Sequence, residues 1–383
     1  MAKKDLIQVM IKPVSSSCNM DCAYCFYKDE ERNRSEKTCK RISDDVIDAL
    51  LSRLESSCIN AHLMFQGGEP TLASLDFYKS LLEKEKSIAP DVTFYHSFQT
   101  NGLLIDDKWA SFFHDNNFLV GLSFDGGVRI NDIYRLDSDK NETSRRVLKS
   151  ALILERNQVR FNVLVVVTKE VADNVNYVWQ SMISHNFLFQ QYIPVLPPLS
   201  GEKREYELDW QSYLEFLKKL FDFWFESLKT DYVSIRLFED MMDTFLGFAP
   251  ESCELRGKCG KNYVLEADGS VYPCDFYCLD EYCLGSILTS SFSDLDKKRK
   301  EIGFCTVNSW KKCNDDKCYM PGCFGGCKRY HDKDGSYFYC QTFRDFTPYM
   351  FSRVKPLLDT IRNTFGSSMS FTQYLLEYNR DRR

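Results

Sequence analysis

The chain has 383 residues, of which 44% are hydrophobic and 27% are charged, the balance of an ordinary globular protein. The formal net charge of −6 argues against a nucleic-acid partner, because such affinity depends largely on positive charge facing phosphates. The longest apolar runs fall far short of the roughly 20 residues that cross a bilayer. The N-terminus also lacks a signal-peptide pattern. We therefore expect a soluble, cytoplasmic protein with no membrane association.

Strands and helices alternate along the first half of the chain. Six short apolar segments, each followed by a polar or glycine-rich loop and then a helical pattern, begin near Leu6, Leu63, Val92, Phe118, Asn162 and Phe187. Six such units predict an α/β fold, a partial (β/α)6 TIM-like barrel with its active site in the loops after the strands. A doubly wound open sheet is the alternative, but no G-x-G-x-x-G fingerprint follows the first strand.

The second half of the chain has a different pattern. Residues 206–247 predict two helices, the turn Asp268-Gly269 predicts a β-hairpin, and the tail after Thr342 is expected to be helical. Between these elements the chain is rich in cysteine and interrupted by glycine, as in small domains held by metal. We predict a barrel domain over 1–235, a small cysteine-rich domain over 236–345 and a C-terminal helical segment over 346–383.

The sixteen cysteines form two groups. Five lie between Cys18 and Cys58, eleven lie between Cys253 and Cys340, and the 194 residues between the groups have none. A reducing cytosol keeps thiols free, so dense local groups predict metal ligands rather than disulfides.

The first group contains the motif C-x3-C-x2-C, formed by Cys18, Cys22 and Cys25. A structural zinc site needs four protein ligands, and no fourth cysteine lies nearby. An iron–sulfur cube held by three thiolates leaves one iron free to bind S-adenosylmethionine. Electron transfer to the bound sulfonium then releases a 5′-deoxyadenosyl radical. The motif therefore favours radical chemistry over a zinc clip.

These residues and their surroundings resemble the radical S-adenosylmethionine superfamily. Phe26 and Tyr27 follow the third cysteine, and residues 67–70, Gly-Gly-Glu-Pro, follow the second predicted strand. The resemblance implies a set of contacts to S-adenosylmethionine. The methionyl amino group would bind at Gly68, adenine would contact the backbone of Tyr24 and the side chain of Leu196, and the methionyl and ribose end would contact Ser123 and Arg135.

The second cysteine group resembles the SPASM extension of radical peptide-modifying enzymes. The resemblance implies two auxiliary [4Fe-4S] clusters, and therefore three clusters in all. One would be held by Cys253, Cys259, Cys274 and Cys327, and the other by Cys313, Cys318, Cys323 and Cys340. The spacing C-x4-C-x4-C-x3-C departs from the usual C-x2-C-x5-C-x3-C at Cys313 and Cys318. Zinc stays an alternative at these sites. No role is predicted for Cys39, Cys58, Cys278, Cys283 and Cys305, although Cys278 and Cys283 are rival ligands.

Within that group the chain resembles the anaerobic sulfatase-maturating enzymes. The most discriminating phrase is Asp268 to Tyr277, and the resemblance runs from about residue 6 to about residue 345. It implies oxidation of a cysteine or serine in a sulfatase to Cα-formylglycine, within a Cys/Ser-x-Pro-x-Arg type motif. It also implies Asp275 as the base beside Cys274, Tyr27 and Gln66 facing the peptide, and flavodoxin or ferredoxin as a low-potential reductant.

Two other classes of function remain as alternatives. The chain could be another SPASM peptide modifier that forms crosslinks or epimerises residues, but such enzymes often carry an N-terminal recognition domain. Only about five residues precede the first predicted strand, which favours the sulfatase interpretation. A non-catalytic iron–sulfur carrier would need neither an open iron nor the Gly-Gly-Glu-Pro loop. The sequence does not distinguish a cysteine target from a serine target.

Overall fold

Strands and helices alternate through the barrel region as the sequence predicts. The computed structural model describes residues 3–35, 41–230, 232–257, 259–305, 323 and 325–380. The six barrel strands are β1 (Lys4–Ile11), β2 (Cys58–Phe65), β3 (Thr93–Thr100), β4 (Leu119–Ser123), β5 (Phe161–Val167) and β6 (Phe189–Pro194). The helices between them are α1 (Phe26–Arg32), α2 (Asp44–Ser57), α3 (Leu75–Ile88), α4 (Asp107–Asp115), α5 (Val128–Tyr134), α6 (Ser144–Arg156), α7 (Lys169–Asp173) and α8 (Val175–Ser184).

The strand order identifies a partial barrel. Strands β1 to β6 are neighbours in sequential order and every adjacent pair is parallel. A doubly wound sheet would reverse its strand order at a switch point, so that alternative is wrong. A short strand β7 (Ser234–Ile235) extends the sheet beyond β6 without pairing to β1, and the barrel is therefore open.

Alternating side chains of the strands form the core against the helices. On β1 and β2 the buried residues recur at every second position, for example Val9 and Ile11 beside Leu63 and Phe65. Aspartates begin two of the flanking helices by accepting a backbone hydrogen bond, as Asp106 does from Trp109 at 3.0 Å. Ser43 occupies the predicted N-cap position of α2, but its side chain makes no capping hydrogen bond.

The predicted β-hairpin is present and joins the barrel sheet directly. Strand β8 (Tyr263–Leu265) pairs parallel with β1, β9 (Ser270–Tyr272) pairs antiparallel with β8, and β10 (Gly285–Ser286) completes this edge. The sequence predicts the hairpin but not its partner. A single ten-stranded sheet thus connects the barrel to the cysteine-rich region.

The predicted C-terminal helices are also present. Helices α9 (Trp210–Ser227) and α10 (Arg236–Leu246) precede the hairpin, α11 (Phe292–Glu301) follows it, and α12 (Cys340–Phe365) and α13 (Phe371–Arg380) complete the described chain. Aromatic contacts join these helices, such as Phe221 against Phe346 with ring centroids 6.0 Å apart. None of the helices in the described ranges combines the length and apolar character needed to cross a membrane.

Candidate functional site

The loop after β1 carries Cys18, Cys22 and Cys25, and it packs against the Gly-Gly-Glu-Pro loop after β2. The backbone amide of Gly68 donates to Ser15 O at 2.7 Å, and that of Glu69 donates to Ser17 O at 2.8 Å. A Cβ atom on Gly68 would lie 2.0 Å from Ser17 O, so only glycine allows this approach. The two predicted motifs are therefore built as one unit.

Glu69 holds the loops of this unit together through hydrogen bonds, a role that sequence reasoning missed. Its carboxylate is completely buried and accepts hydrogen bonds from Thr71 N at 3.1 Å and Thr71 Oγ1 at 2.6 Å. It also accepts from Thr100 Oγ1 and Asn101 N, both at 2.8 Å, and so ties the loops after β2 and β3 together. Asn101 Nδ2 in turn lies 3.6 Å from Cys18 Sγ.

The three thiols of the loop are partly buried and lie within electrostatic range of one another. Burial raises the pKa of Cys18 to about 12 and that of Cys22 to about 11, and the neighbouring thiols raise that of Cys18 further. A bound metal reverses this preference, because a coordinating thiol is deprotonated. Within the described ranges, no three His, Cys, Asp or Glu side chains are spaced to hold a single metal ion. Three thiols are one ligand short of a structural zinc site, whereas an iron–sulfur cube held by three thiolates keeps one iron open.

Arg135 places a buried positive charge beside this loop. Its Nη1 donates to the hydroxyl of Tyr24 at 3.2 Å, and Tyr24 also donates to the carboxylate of Asp125. The guanidinium lies close enough to Cys22 to lower the pKa of that thiol, against the larger effect of burial. Arg135 Nε is buried and has no hydrogen-bond partner among the described residues. An unsatisfied buried donor of this kind fits an anionic ligand such as a carboxylate.

The other predicted contacts to S-adenosylmethionine lie on the same edge of the sheet. Ser123 ends β4, and its hydroxyl accepts a hydrogen bond from Gln99 Nε2 at 2.8 Å. Leu196 follows β6 and is buried in the hydrophobic core that includes Tyr24. The predicted contacts thus all follow barrel strands or the crossover segments between them: Ser123, Leu196, Gly68 and Arg135.

Asp275 meets the barrel residues that are predicted to face the peptide. Its Oδ2 accepts hydrogen bonds from the hydroxyl of Tyr27 at 2.8 Å and from Gln66 Nε2 at 2.7 Å. Gln66 Nε2 also lies 2.7 Å from the Tyr27 hydroxyl, which closes the triangle. Residues that are more than 200 positions apart in the chain thus converge at one point.

A buried lysine, which sequence reasoning missed, supports Asp275 from the other side. Lys12 Nζ lies 3.2 Å from Asp275 Oδ1, 3.3 Å from Glu266 Oε1 and 3.7 Å from Glu30 Oε2. It also donates to Cys278 Sγ at 3.2 Å. Burial alone would lower the pKa of Lys12, but these neighbours raise it well above its ordinary value, so the side chain stays cationic.

A second cation completes this charge cluster. Arg34 Nη1 lies 3.2 Å from Glu266 Oε1. Burial raises the pKa of Glu30 to about 8 despite the opposing effect of Lys12. The cluster therefore contains two cations, Lys12 and Arg34, and the carboxyl groups of Glu266, Asp275 and Glu30, of which Glu30 is mostly protonated at neutral pH.

Four cysteines of the second group, Cys253, Cys259, Cys274 and Cys327, lie near one another in the fold. The thiols of Cys253 and Cys274 each lie within electrostatic range of Cys327, and Cys259 lies within range of Cys253 and Cys327. Burial raises the pKa of all four thiols. Cys253 is exposed and the other three cysteines are partly buried. A set of four neighbouring thiols fits an iron–sulfur cluster with every corner held by protein.

Comparison with known proteins decides the family. The Radical SAM superfamily profile matches residues 13–176. A cysteine-type anaerobic sulfatase-maturating enzyme of Clostridium perfringens is 39% identical over 372 residues, which cover 93% of this chain and 99% of the relative. The chain belongs to the anaerobic sulfatase-maturating enzyme family. A serine-type member from Klebsiella aerogenes is 27% identical, over 91% of this chain and 86% of the relative.

Solved structures agree with membership of the sulfatase-maturating enzyme family. Native anSMEcpe with bound AdoMet and Kp18Cys peptide superimposes with a TM-score of 0.86 at 37% identity, covering 93% of this chain and all of that chain. Streptococcus suis SuiB bound to precursor peptide SuiA shares the fold, with a TM-score of 0.60 at 14% identity. The predicted fold class and the predicted family are therefore confirmed.

Some predicted ligands of the sulfatase-maturating enzyme family stay as predictions. Cys313, Cys318 and Cys39 lie outside the described residues. Cys323 is buried and Cys340 begins α12, but their two proposed partners are among the undescribed positions. Cys278, a rival ligand by sequence, instead accepts the hydrogen bond from Lys12.

Proposed function

We propose that this chain oxidises a cysteine side chain of a sulfatase polypeptide to Cα-formylglycine. The observation that carries the proposal is the contact of Asp275, next to the cluster ligand Cys274, with Tyr27 and Gln66 at the carboxyl edge of the barrel. When bound, S-adenosylmethionine and the N-terminal [4Fe-4S] cluster supply a 5′-deoxyadenosyl radical that removes one Cβ hydrogen, and two auxiliary [4Fe-4S] clusters accept the next electron.

The N-terminal cluster and its cosubstrate would be held by residues already placed on this edge. Cys18, Cys22 and Cys25 would hold the cluster, and Gly68 would leave its backbone accessible to the methionyl amino group. Arg135 Nε, a buried donor without a partner in the described chain, would bind the methionyl carboxylate. Tyr24, Ser123 and Leu196 would complete the contacts to adenine and ribose.

Asp275 would remove the proton that the oxidation releases. After the Cβ hydrogen has left, the substrate carbon must lose one electron and its sulfur must lose one proton to form a thioaldehyde. The proton would pass to Asp275 Oδ2, the oxygen that Tyr27 and Gln66 now hold in place. Water would then replace sulfur, releasing hydrogen sulfide and leaving the aldehyde. Lys12 would hold the opposite oxygen, Asp275 Oδ1.

The target residue is proposed to be cysteine rather than serine. The chain is 39% identical to a cysteine-type enzyme and 27% identical to a serine-type enzyme over a similar share of its length. The substrate would be a peptide segment with a Cys-x-Pro-x-Arg type motif. A low-potential carrier, flavodoxin or ferredoxin, would provide the electron that starts each turnover.

We keep the predicted domain division as part of the proposal. Residues 1–235 would bind S-adenosylmethionine, residues 236–345 would hold the auxiliary clusters, and residues 346–383 would form a helical appendage. The second boundary falls inside α12, so it marks the end of the cysteine-bearing segment rather than a break in the helix. Cys313, Cys318, Cys323 and Cys340 would hold the second auxiliary cluster.

The decisive experiment uses anaerobically reconstituted full-length protein, S-adenosylmethionine, a chemical reductant and a peptide with a Cys-x-Pro-x-Arg motif. Three four-iron clusters predict about twelve irons per chain. The peptide should change mass by the amount for aldehyde formation, and a matched serine peptide should react more slowly. Asp275→Asn should retain the iron and still form 5′-deoxyadenosine while losing the aldehyde product. Deoxyadenosine with an unaltered or crosslinked cysteine peptide in the unsubstituted protein would refute the proposal.

A further inference from the structure

Three aromatic rings surround the ammonium group of Lys328, the residue after the proposed ligand Cys327. Lys328 Nζ lies 5.4 Å from the ring centroid of Tyr277, 5.6 Å from that of Tyr282 and 5.0 Å from that of Phe304. All three distances fall within the range of favourable cation–π interaction. The aromatic cage is therefore formed around a cation of the same chain.

The three rings also hold one another. Tyr277 contacts Tyr282 with centroids 5.0 Å apart and Phe304 at 5.3 Å, and Tyr282 contacts Phe304 at 5.7 Å. All three pairs meet edge to face, the arrangement that aromatic side chains favour. Phe304 is buried, which fixes one wall of the cage. The position of the Lys328 ammonium is consequently well defined.

This cage connects two segments that carry proposed ligands of the same cluster. Tyr277 follows Cys274 in a single 3₁₀ turn, and its backbone amide donates to Cys274 O at 3.1 Å. Lys328 follows Cys327 at the start of another 3₁₀ turn. The cation–π contact between Tyr277 and Lys328 thus holds the Cys274 turn against the Cys327 turn.

Among the described residues, the Lys328 ammonium group is surrounded by aromatic rings. No carboxylate forms an ion pair with Lys328 in the part of the chain that the structure describes. Lys328 directly follows the proposed ligand Cys327, and its ammonium group is held against Tyr277 in the turn that follows the proposed ligand Cys274, so its charge lies beside the proposed ligand set. Aromatic rings attract a cation without cancelling its charge. The positive charge of Lys328 would therefore act on a cluster held by the four thiols.

We propose that Lys328 is a positioning residue for the first auxiliary cluster, which it both anchors and makes easier to reduce. The inference rests on the proposed assignment of Cys253, Cys259, Cys274 and Cys327 to that cluster. When the cluster gains the one electron that leaves the substrate, its net charge becomes more negative by one. A fixed positive charge nearby stabilises this reduced form and raises the reduction potential.

The test compares Lys328→Met with Lys328→Arg and with Lys333→Met, a control at an exposed lysine on a nearby turn. The full-length proteins are reconstituted anaerobically, their iron is counted, and the auxiliary clusters are titrated potentiometrically by EPR. Lys328→Met should hold fewer than the about twelve irons of the unsubstituted protein, and the first auxiliary cluster that it retains should titrate at a more negative potential. Lys328→Arg, which keeps the charge and can stack in the cage, should match the unsubstituted protein, as should Lys333→Met.

The outcomes separate anchoring from charge. If Lys328→Met loses the iron of one cluster and Lys328→Arg regains it, the anchoring role is supported. Loss of that iron in both variants, or a full iron content with an unchanged potential in Lys328→Met, would overturn the proposal. Aldehyde formation in the unsubstituted protein reports separately on the proposed function. With iron intact, Lys328→Met should produce less aldehyde for each deoxyadenosine released.

Discussion

The variant Lys12→Met tests whether a buried charge balance holds the proposed base in place. The ammonium group is only 2% exposed and lies 3.2 Å from Asp275 and 3.3 Å from Glu266. Removing one partner of a buried ion pair typically costs about 3–5 kcal/mol, because the other charge stays buried without compensation. We therefore expect Lys12→Met to lower the free energy of unfolding by about that amount.

The charge count makes a sharper prediction for pairs of substitutions. Glu30 is mostly protonated at neutral pH, so the ion pairs of Lys12 and Arg34 that carry the charge balance are those with Glu266 and Asp275. Lys12→Met leaves one excess negative charge, and Asp275→Asn leaves one excess positive charge. The double variant is balanced again, so its cost should be smaller than the sum of the two single costs by about 1–3 kcal/mol.

The assay is chemical denaturation monitored by tryptophan fluorescence. It compares four anaerobically reconstituted proteins at equal iron content: the unsubstituted protein, Lys12→Met, Asp275→Asn and the double variant. Lys229→Met is the matched control, since that lysine is exposed and its ion pair with Glu226 lies on the surface; it should change stability by less than about 0.5 kcal/mol. If the two single costs add within about 0.5 kcal/mol, Lys12 and Asp275 do not depend on each other and the reasoning fails.

Three further predictions concern the same region. Burial raises the pKa of Glu30 to about 8, so the stability that its protonation provides is lost as the pH rises from about 4.5 through 8. Glu30→Gln should therefore become more stable than the unsubstituted protein between pH 6 and 9. If the urea midpoints of the two proteins change with pH in parallel, this prediction is wrong. Gly68→Ala should lose the iron of one cluster by iron analysis. Gly201→Ala has open space around it and adds only backbone strain at a φ of +73° in an exposed loop, so it should keep all three clusters. Arg135→Gln should weaken equilibrium binding of S-adenosylmethionine at least tenfold, or about 1.4 kcal/mol. The control Tyr24→Phe should bind S-adenosylmethionine within a few-fold of the unsubstituted protein. If Arg135→Gln binds it as tightly as the unsubstituted protein does, Arg135 does not contact the carboxylate.

The barrel could be predicted from the sequence because its signals are local. Each strand is a short apolar run followed by a loop with a recognisable composition, and the order of these units determines the parallel pairing. The cysteine loop and the Gly-Gly-Glu-Pro loop carry specific motifs, and their positions after β1 and β2 place them side by side. The convergence of Asp275, Tyr27 and Gln66 followed from the family resemblance rather than from local patterns.

The features that sequence reasoning missed depend on contacts between distant segments. Lys12 stands in the phrase Ile-Lys-Pro, which gives no sign that its partners lie at Glu30, Glu266 and Asp275. The three-residue strand β8 contains nothing that specifies pairing with β1. The cage around Lys328 combines residues from three turns, and only the folded chain brings their rings together.

The pairing of β8 with β1 has a mechanical consequence. Main-chain hydrogen bonds continue from the strand that leads into the radical-generating loop to the hairpin that leads into Cys274. Hinge motion between those two places would have to break the sheet, so the distance between the proposed substrate site and the proposed electron-accepting cluster would be fixed by the fold. Substitutions near the substrate or near the cluster would then change the fit of the substrate or the reduction potential without changing that distance.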